Sequence, residues 1–175
     1  MNYLPQLPHD LEGLRHAYKP AKVRWLFIGE SPPANGTFFY KADSNLSRYT
    51  QQAFSIALER EFADGNEFLD FFKALGCYLI DLCDDPVNHL PESEREEQRR
   101  RGATSLPERI AEHLPQATIV VMKAIAKYVQ PAIGQAELAD LPFYVVPFPA
   151  MGNQKRYVER LVTVLKKLKV TASSS

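Results

Sequence analysis

Four stretches of this chain hold residue types that could do chemistry on a planar, charged ligand. The first is Gly29–Tyr40, GESPPANGTFFY. It places a carboxylate, Glu30, and a hydroxyl, Ser31, directly after an apolar run, and follows them with Phe38, Phe39 and Tyr40. Gly29 permits a sharp turn, and Pro32 and Pro33 stiffen the loop beyond it. A carboxylate beside flat aromatic surface suits a ligand such as a nucleobase, which stacks while the acid handles charge. The same residues also fit a rigid turn with its aromatics in the core. The second stretch contains Asp81, an acid inside the apolar run CYLIDL. An unpaired charge there is costly, so Asp81 must be paired, at the edge of water, or used. Asp84 and Asp85 follow it and suit a cap or turn. The third is the turn at Lys123. The fourth, PFPAMGNQKRY from Pro147 to Tyr157, opens a basic helix. From Gly152 to Lys169 there are six Lys or Arg against one acid, Glu159. A helix N-terminus beside Gln154, Lys155 and Arg156 suits a phosphate, although an ordinary solvated helix face has the same composition.

These stretches lie at corresponding places in a repeating pattern. Short, near-continuous apolar runs predict strands at Val23–Ile28, Cys77–Leu82, Ala117–Met122 and Pro142–Val146. Helical spacing predicts Asn45–Phe62, Asn66–Leu75 (closed by Gly76), Lys123–Ile133 and Gln154–Leu168. A further helix is expected to start at Ser105, with Pro107 in its first turn and Glu108 completing a capping box. The charge run Glu92–Arg101 reads as a solvated excursion. Strands alternating with helices predict an α/β fold with a central four-stranded parallel sheet covered on both faces. Ligands in such sheets bind outside the carboxyl ends of the strands, which gathers all four stretches into one crevice.

Composition narrows the classes. The 175 residues fit one domain, expected over 1–170, with a disordered tail at 171–175. Basic and acidic residues balance at 21 each, so no global field favours or opposes nucleic acid. Two cysteines, Cys77 and Cys83, cannot build a four-cysteine zinc or iron–sulfur site, and buried thiols are expected. No metal or cofactor is expected. No apolar run approaches the ~20 residues of a membrane span. The N-terminus has no secretory pattern, so a cytoplasmic location is expected. A monomer is expected.

Taken in order, these segments resemble the uracil-DNA glycosylase superfamily. The strand ending in Gly29-Glu30-Ser31-Pro32 is similar to its first motif. Leu79–Leu82 (LIDL) is similar to its base-reading segment, ATIVVMKAIAKYV to its third strand and helix, and VVPFPAMGNQKRYVERL to its second motif and helix. The resemblance covers roughly residues 22–169 and implies a three-layer α/β/α fold. It further implies a DNA repair enzyme that flips a damaged or deaminated base out of single- or double-stranded DNA and hydrolyses its N-glycosidic bond. By position, Glu30 matches the carboxylate of the iron–sulfur branch, and Ser31 stands where the main branch has aspartate. Phe39 or Tyr40 would stack on the base, Asp81 would read it, and Phe148 falls on the second-motif histidine or asparagine. Met151 and Asn153 fall in the loop that wedges into DNA, with Gly152, Gln154, Lys155 and Arg156 beside them. Two departures matter. Phe148 cannot donate to a leaving base, a task left to Asn153 or Lys123. An ionised Asp81 only accepts hydrogen bonds, so it suits an exocyclic amine better than a carbonyl. The alternatives are a binder of nucleic acid or nucleotides that has lost catalysis, and a nucleoside or nucleotide hydrolase.

Overall fold

A computed structural model describes residues 9–173, and the side chains of 10–169. Residues 1–8, to which the expected lack of a secretory pattern refers, and 174–175 of the tail lie outside the described residues. The elements are α1 (His9–Ala17), β1 (Trp25–Gly29), α2 (Asn45–Leu58), α3 (Gly65–Ala74), β2 (Cys77–Asp81), α4 (Glu92–His113), β3 (Ala117–Val120), α5 (Ala126–Gln135), β4 (Phe143–Val145) and α6 (Gln154–Ser173). Short 3-10 turns span Phe39–Lys41 and Lys123–Ile125.

The four strands form one parallel sheet in the order β2-β1-β3-β4. Every residue of β1, β2 and β3 is buried, which requires helices on both faces. The chain steps from β1 out to β2, then crosses back past β1 to β3. Right-handed crossovers in opposite directions put α2 and α3 on one face and α4 on the other. α6 packs on α2, and α5 packs on α4. The reversal leaves a crevice outside the carboxyl ends of β1 and β3. Beneath it, the rings of Phe27, Phe54, Phe68 and Phe72 interlock, with Phe27 and Phe72 centroids 5.2 Å apart. The Thr50 and Tyr157 hydroxyls bond at 2.7 Å and tie α2 to α6.

α2 ends at Leu58, four residues before the expected Phe62, where Glu59 turns left-handed, and the helix expected from Lys123 starts as a 3-10 turn with α5 beginning at Ala126. Three further elements differ more. α4 is one helix of 22 residues, so Glu92–Arg101 is helical and Ser105 is not a cap. The Ser105 hydroxyl donates to the Gly102 carbonyl inside the helix. Pro107 removes one backbone donor, and contacts on either side of it hold the helix together. Gly102 packs against the chain leaving β2, where a Cβ would stand 2.1 Å from the Leu82 carbonyl oxygen. On the other side of the proline, Arg109 donates to the carbonyls of Asp81 and Leu82 at 2.6 and 3.0 Å. Gly102→Ala should therefore push α4 outward and cost about 1–3 kcal/mol. A thermal melt should fall by roughly 3–10 °C for a chain of this size, and an unchanged melt would show that the helix slides without cost. α1 has no counterpart among the expected helices. Its nine residues carry Asp10 and Glu12 in the first turn and Arg15 and His16 in the last, matching the helix dipole. α6 continues past Leu168 to Ser173, so the first residues of the expected tail are helical. No glycine or proline stands there to stop it. Among the described residues no helix is long and apolar enough to cross a membrane.

Candidate functional site

A cleft of about 630 Å³ opens at the switch point, inside the ~300–1,000 Å³ range of small-ligand pockets. Residues from all four chemical stretches line it, among them Glu30, Ser31, Asp81, Lys123, Phe148 and Asn153. The Asn88 side chain accepts the Ala34 N–H at 2.9 Å and joins the first two loops.

Glu30 ends the turn after β1 and is 4% exposed. Arg95 reaches both of its oxygens, with Nε to Oε2 at 2.9 Å and Nη2 to Oε1 at 2.5 Å. Arg99 adds Nε to Oε2 at 2.6 Å. The two arginines are four residues apart on α4 and so share one helix face. Arg99 continues to Glu92 and Glu96, and Glu96 also accepts from Tyr128 and Lys127. Tyr128, then Lys127 and Arg99, hold the Glu96 carboxyl well below the usual carboxylate range. The stretch Glu92–Arg101, expected to be a solvated excursion, thus supplies a buried clamp: the Arg99 side chain is 4% exposed. Glu30 is an anchored counter-ion here: Oε2 is taken up by both arginines, and Oε1 accepts from Arg95.

Asp81 ends β2 beside Gly29, its register partner. Its Oδ2 accepts from Arg15 Nη2 at 2.9 Å, and Arg15 also pairs with Glu12 and lies over the Phe38 ring. The carboxyl pKa is pushed up to about 6 by burial, with Arg15 and Arg109 opposing the rise. Gly29 is required by this arrangement, since a Cβ there would stand 2.8 Å from Asp81 Oδ1.

Phe39 lines the cleft with Phe38, whereas Tyr40 does not reach it. Tyr40 is buried, donates to the Leu79 carbonyl at 2.9 Å and accepts the Leu79 N–H at 2.7 Å. The 3-10 turn sends neighbouring side chains in different directions, and Tyr40 goes to edge strand β2, satisfying its unpaired backbone. Of the two expected stackers only Phe39 borders the cleft, and it is 3% exposed, packed against Tyr40 and Phe72. Ser31 lines the cleft while its hydroxyl holds the loop, accepting the Val87 N–H at 3.2 Å and donating to the Pro32 carbonyl. Phe148 is half-buried in the wall. Met151 is 97% exposed at the rim, with φ of 53° followed by Gly152 at 85°. Asn153 lines the cleft and its carbonyl accepts from Tyr157, starting α6. Gln154 is half-buried and Lys155 and Arg156 are exposed; none of the three lines the cleft, and Gln154 and Lys155 line a separate shallow groove against α2. Lys123 is exposed at the cleft and has no ion pair among the described residues.

Sequence reasoning missed Arg15, Arg95 and Arg109; Arg99, read with Arg100 and Arg101 as a candidate contact to phosphate backbone, is instead buried on Glu30. The one available signal was the need of Asp81 for a partner. Among the described residues no three His, Cys, Asp or Glu groups come together as a metal would require. Cys77 and Cys83 are buried free thiols, and burial pushes Cys83 up to about 12. No protein family model matches the chain, and no curated protein matches it.

Proposed function

We propose that this chain binds nucleic acid with one nucleotide turned out into the cleft and hydrolyses that nucleotide's N-glycosidic bond, as the resemblance to uracil-DNA glycosylases implies. The observation that carries the reading is Met151. A large apolar side chain, 97% exposed, stands at the rim of a cleft of about 630 Å³. Left-handed backbone at Met151 and Gly152 projects it from the turn. Such a side chain can fill the gap a displaced base leaves in a stack. The half-buried Phe148 offers ring surface inside the cleft, and the exposed Lys155 and Arg156 lie in the first turn of α6, just beyond the cleft-lining Asn153, as candidates for phosphate contact. Lys123 and Asn153 carry N–H donors at the cleft suited to stabilising a departing base anion, which Phe148 cannot do.

A second reading, binding without excision, is favoured by the Glu30 clamp. An oxocarbenium-like sugar wants a free carboxylate nearby, and here Arg95 and Arg99 occupy it.

The test is incubation of excess protein with single- and double-stranded oligonucleotides carrying uracil, hypoxanthine, xanthine, alkylated bases or mismatches. Alkali-labile sites at one base are the expected result. Binding that weakens with salt and falls at least about fivefold in Met151→Ala, with no cleavage, would establish the second reading. Neither cleavage nor binding would overturn both.

A further inference from the structure

The carboxyl of Asp81 has two oxygens in different situations. Oδ2 is held from behind by Arg15 of α1 at 2.9 Å. Oδ1 leans across the mouth of β1, over the space that Gly29 leaves by lacking a Cβ. Among the described residues no side chain or backbone N–H donates to Oδ1, and Asp81 and Gly29 both line the cleft.

We propose that the cleft changes its preference from an amino-bearing to a keto-bearing base as the Asp81 carboxyl takes up a proton, because Arg15 fixes Oδ2 and leaves Oδ1 to face the base. The inference rests on the cleft being a base pocket.

An ionised Oδ1 only accepts, so it pairs with an exocyclic amine and opposes a carbonyl. On protonation, Arg15 still needs an acceptor and keeps Oδ2. The proton therefore resides on Oδ1, which becomes a donor facing the ligand and pairs with a carbonyl. Arg15 is thus a positioning residue: it decides which oxygen is presented. Burial brings the carboxyl to about 6, so both forms are reachable under mild conditions. The charged and titratable groups facing it are Arg15 and Glu12 from α1, Arg109 from α4, Asp84 and Cys83 from the loop after β2, and Tyr40, with Tyr78 behind Arg15. Both arginines stay charged, and burial keeps both tyrosines neutral. Asp84 is exposed and modulates without touching Oδ1.

Single-stranded oligonucleotides with one 2′-fluoroarabino nucleotide, which resists hydrolysis, test this. The probes are matched pairs, cytosine with uracil and adenine with hypoxanthine, and binding is read by fluorescence anisotropy at about pH 5.5 and about pH 7.5, on either side of the carboxyl. The amino-bearing member should bind roughly tenfold more tightly at the higher pH, and the keto-bearing member should overtake it at the lower. Asp84→Asn should keep the reversal and Asp81→Asn should lose it. Carbon-13 NMR of the wild-type Asp81 carboxyl needs no variant. By reciprocity, the amino probe should hold the carboxyl ionised to lower pH and the keto probe should raise its titration. Binding with the same preference at both pH values, or a reversal that survives Asp81→Asn, would overturn this inference and leave the base pocket standing. Binding of no oligonucleotide at either pH would overturn the base pocket, and this inference with it.

Discussion

Glu30→Ala is expected to destabilise the fold by about 3–5 kcal/mol, because it leaves buried guanidinium charge without its shared acceptor. The Glu30 and Arg99 side chains are each 4% exposed, and Arg95 is 22% exposed. Arg99 keeps Glu92 and Glu96 on Nη1, but water cannot easily replace the carboxylate at its buried Nε. In a thermal melt the loss should appear as a fall of roughly 6–20 °C. The contrast within the same helix is Arg100, whose bond to Glu97 joins two exposed side chains. Arg100→Ala should change stability by less than about 1 kcal/mol. A double-mutant cycle of Glu30→Ala with Arg99→Ala isolates the pair. The double variant should be more stable than the sum of the singles predicts, by at least about 1.5 kcal/mol. Additive losses would mean that desolvation cancels the attraction and that the clamp sets geometry alone. The result also governs how Glu30 variants are read in an excision assay. Activity lost in Glu30→Gln reports on catalysis only at a temperature where the variant remains folded.

The convergence of loops was legible in the sequence because it needs little information. Four apolar runs separated by helices dictate a parallel sheet, and a parallel sheet puts the loops after its strands at one end. Gly29, Asp81, Lys123 and Phe148 meet for that reason. The partners of the buried acids were not legible. Arg15 lies 66 residues before Asp81 in a helix of nine residues, too short for periodicity to reveal. Arg95 and Arg99 sit among Glu92, Glu94, Glu96 and Glu97, a composition that reads as a solvated surface. Only the crossover of α4 past the end of β1 turns one face of that run toward Glu30. Pro107 misled for a physical reason as well. Local rules place proline in a first turn, but the packing of Gly102 on Leu82 and the carbonyl bonds of Arg109 outweigh one missing backbone bond. Phe39 and Tyr40 show the finest limit. Adjacent aromatics cannot be assigned to cleft or core until the phase of the turn carrying them is known.

Arg15→Ala should be strongly destabilising at neutral pH and much less so in mild acid. In the wild type the Asp81 carboxyl is raised from an ordinary 3.8 to about 6, so the folded state holds its proton more tightly than the unfolded state. Its contribution is therefore fully present below about pH 4 and is lost as pH rises through about 6. At about 1.4 kcal/mol per pH unit, that interval amounts to a decline of about 3 kcal/mol. Removing Arg15 removes the main group that opposes burial, so the carboxyl titrates higher still and the decline runs further. The variant should lose about 3–5 kcal/mol at about pH 7.5, where a buried carboxylate would stand alone. At about pH 5 the carboxyl is protonated and the loss should be less than half of that. Denaturant unfolding at the two pH values measures both. Adding Asp81→Asn to Arg15→Ala removes the ionisable group and should abolish the difference. Equal losses at both pH values would assign the cost to the packing of the Arg15 guanidinium on Phe38 and the docking of α1. Unequal losses would establish Arg15 as the counter-charge that keeps a carboxylate at the mouth of the cleft, the arrangement on which reading of a base by Oδ1 depends.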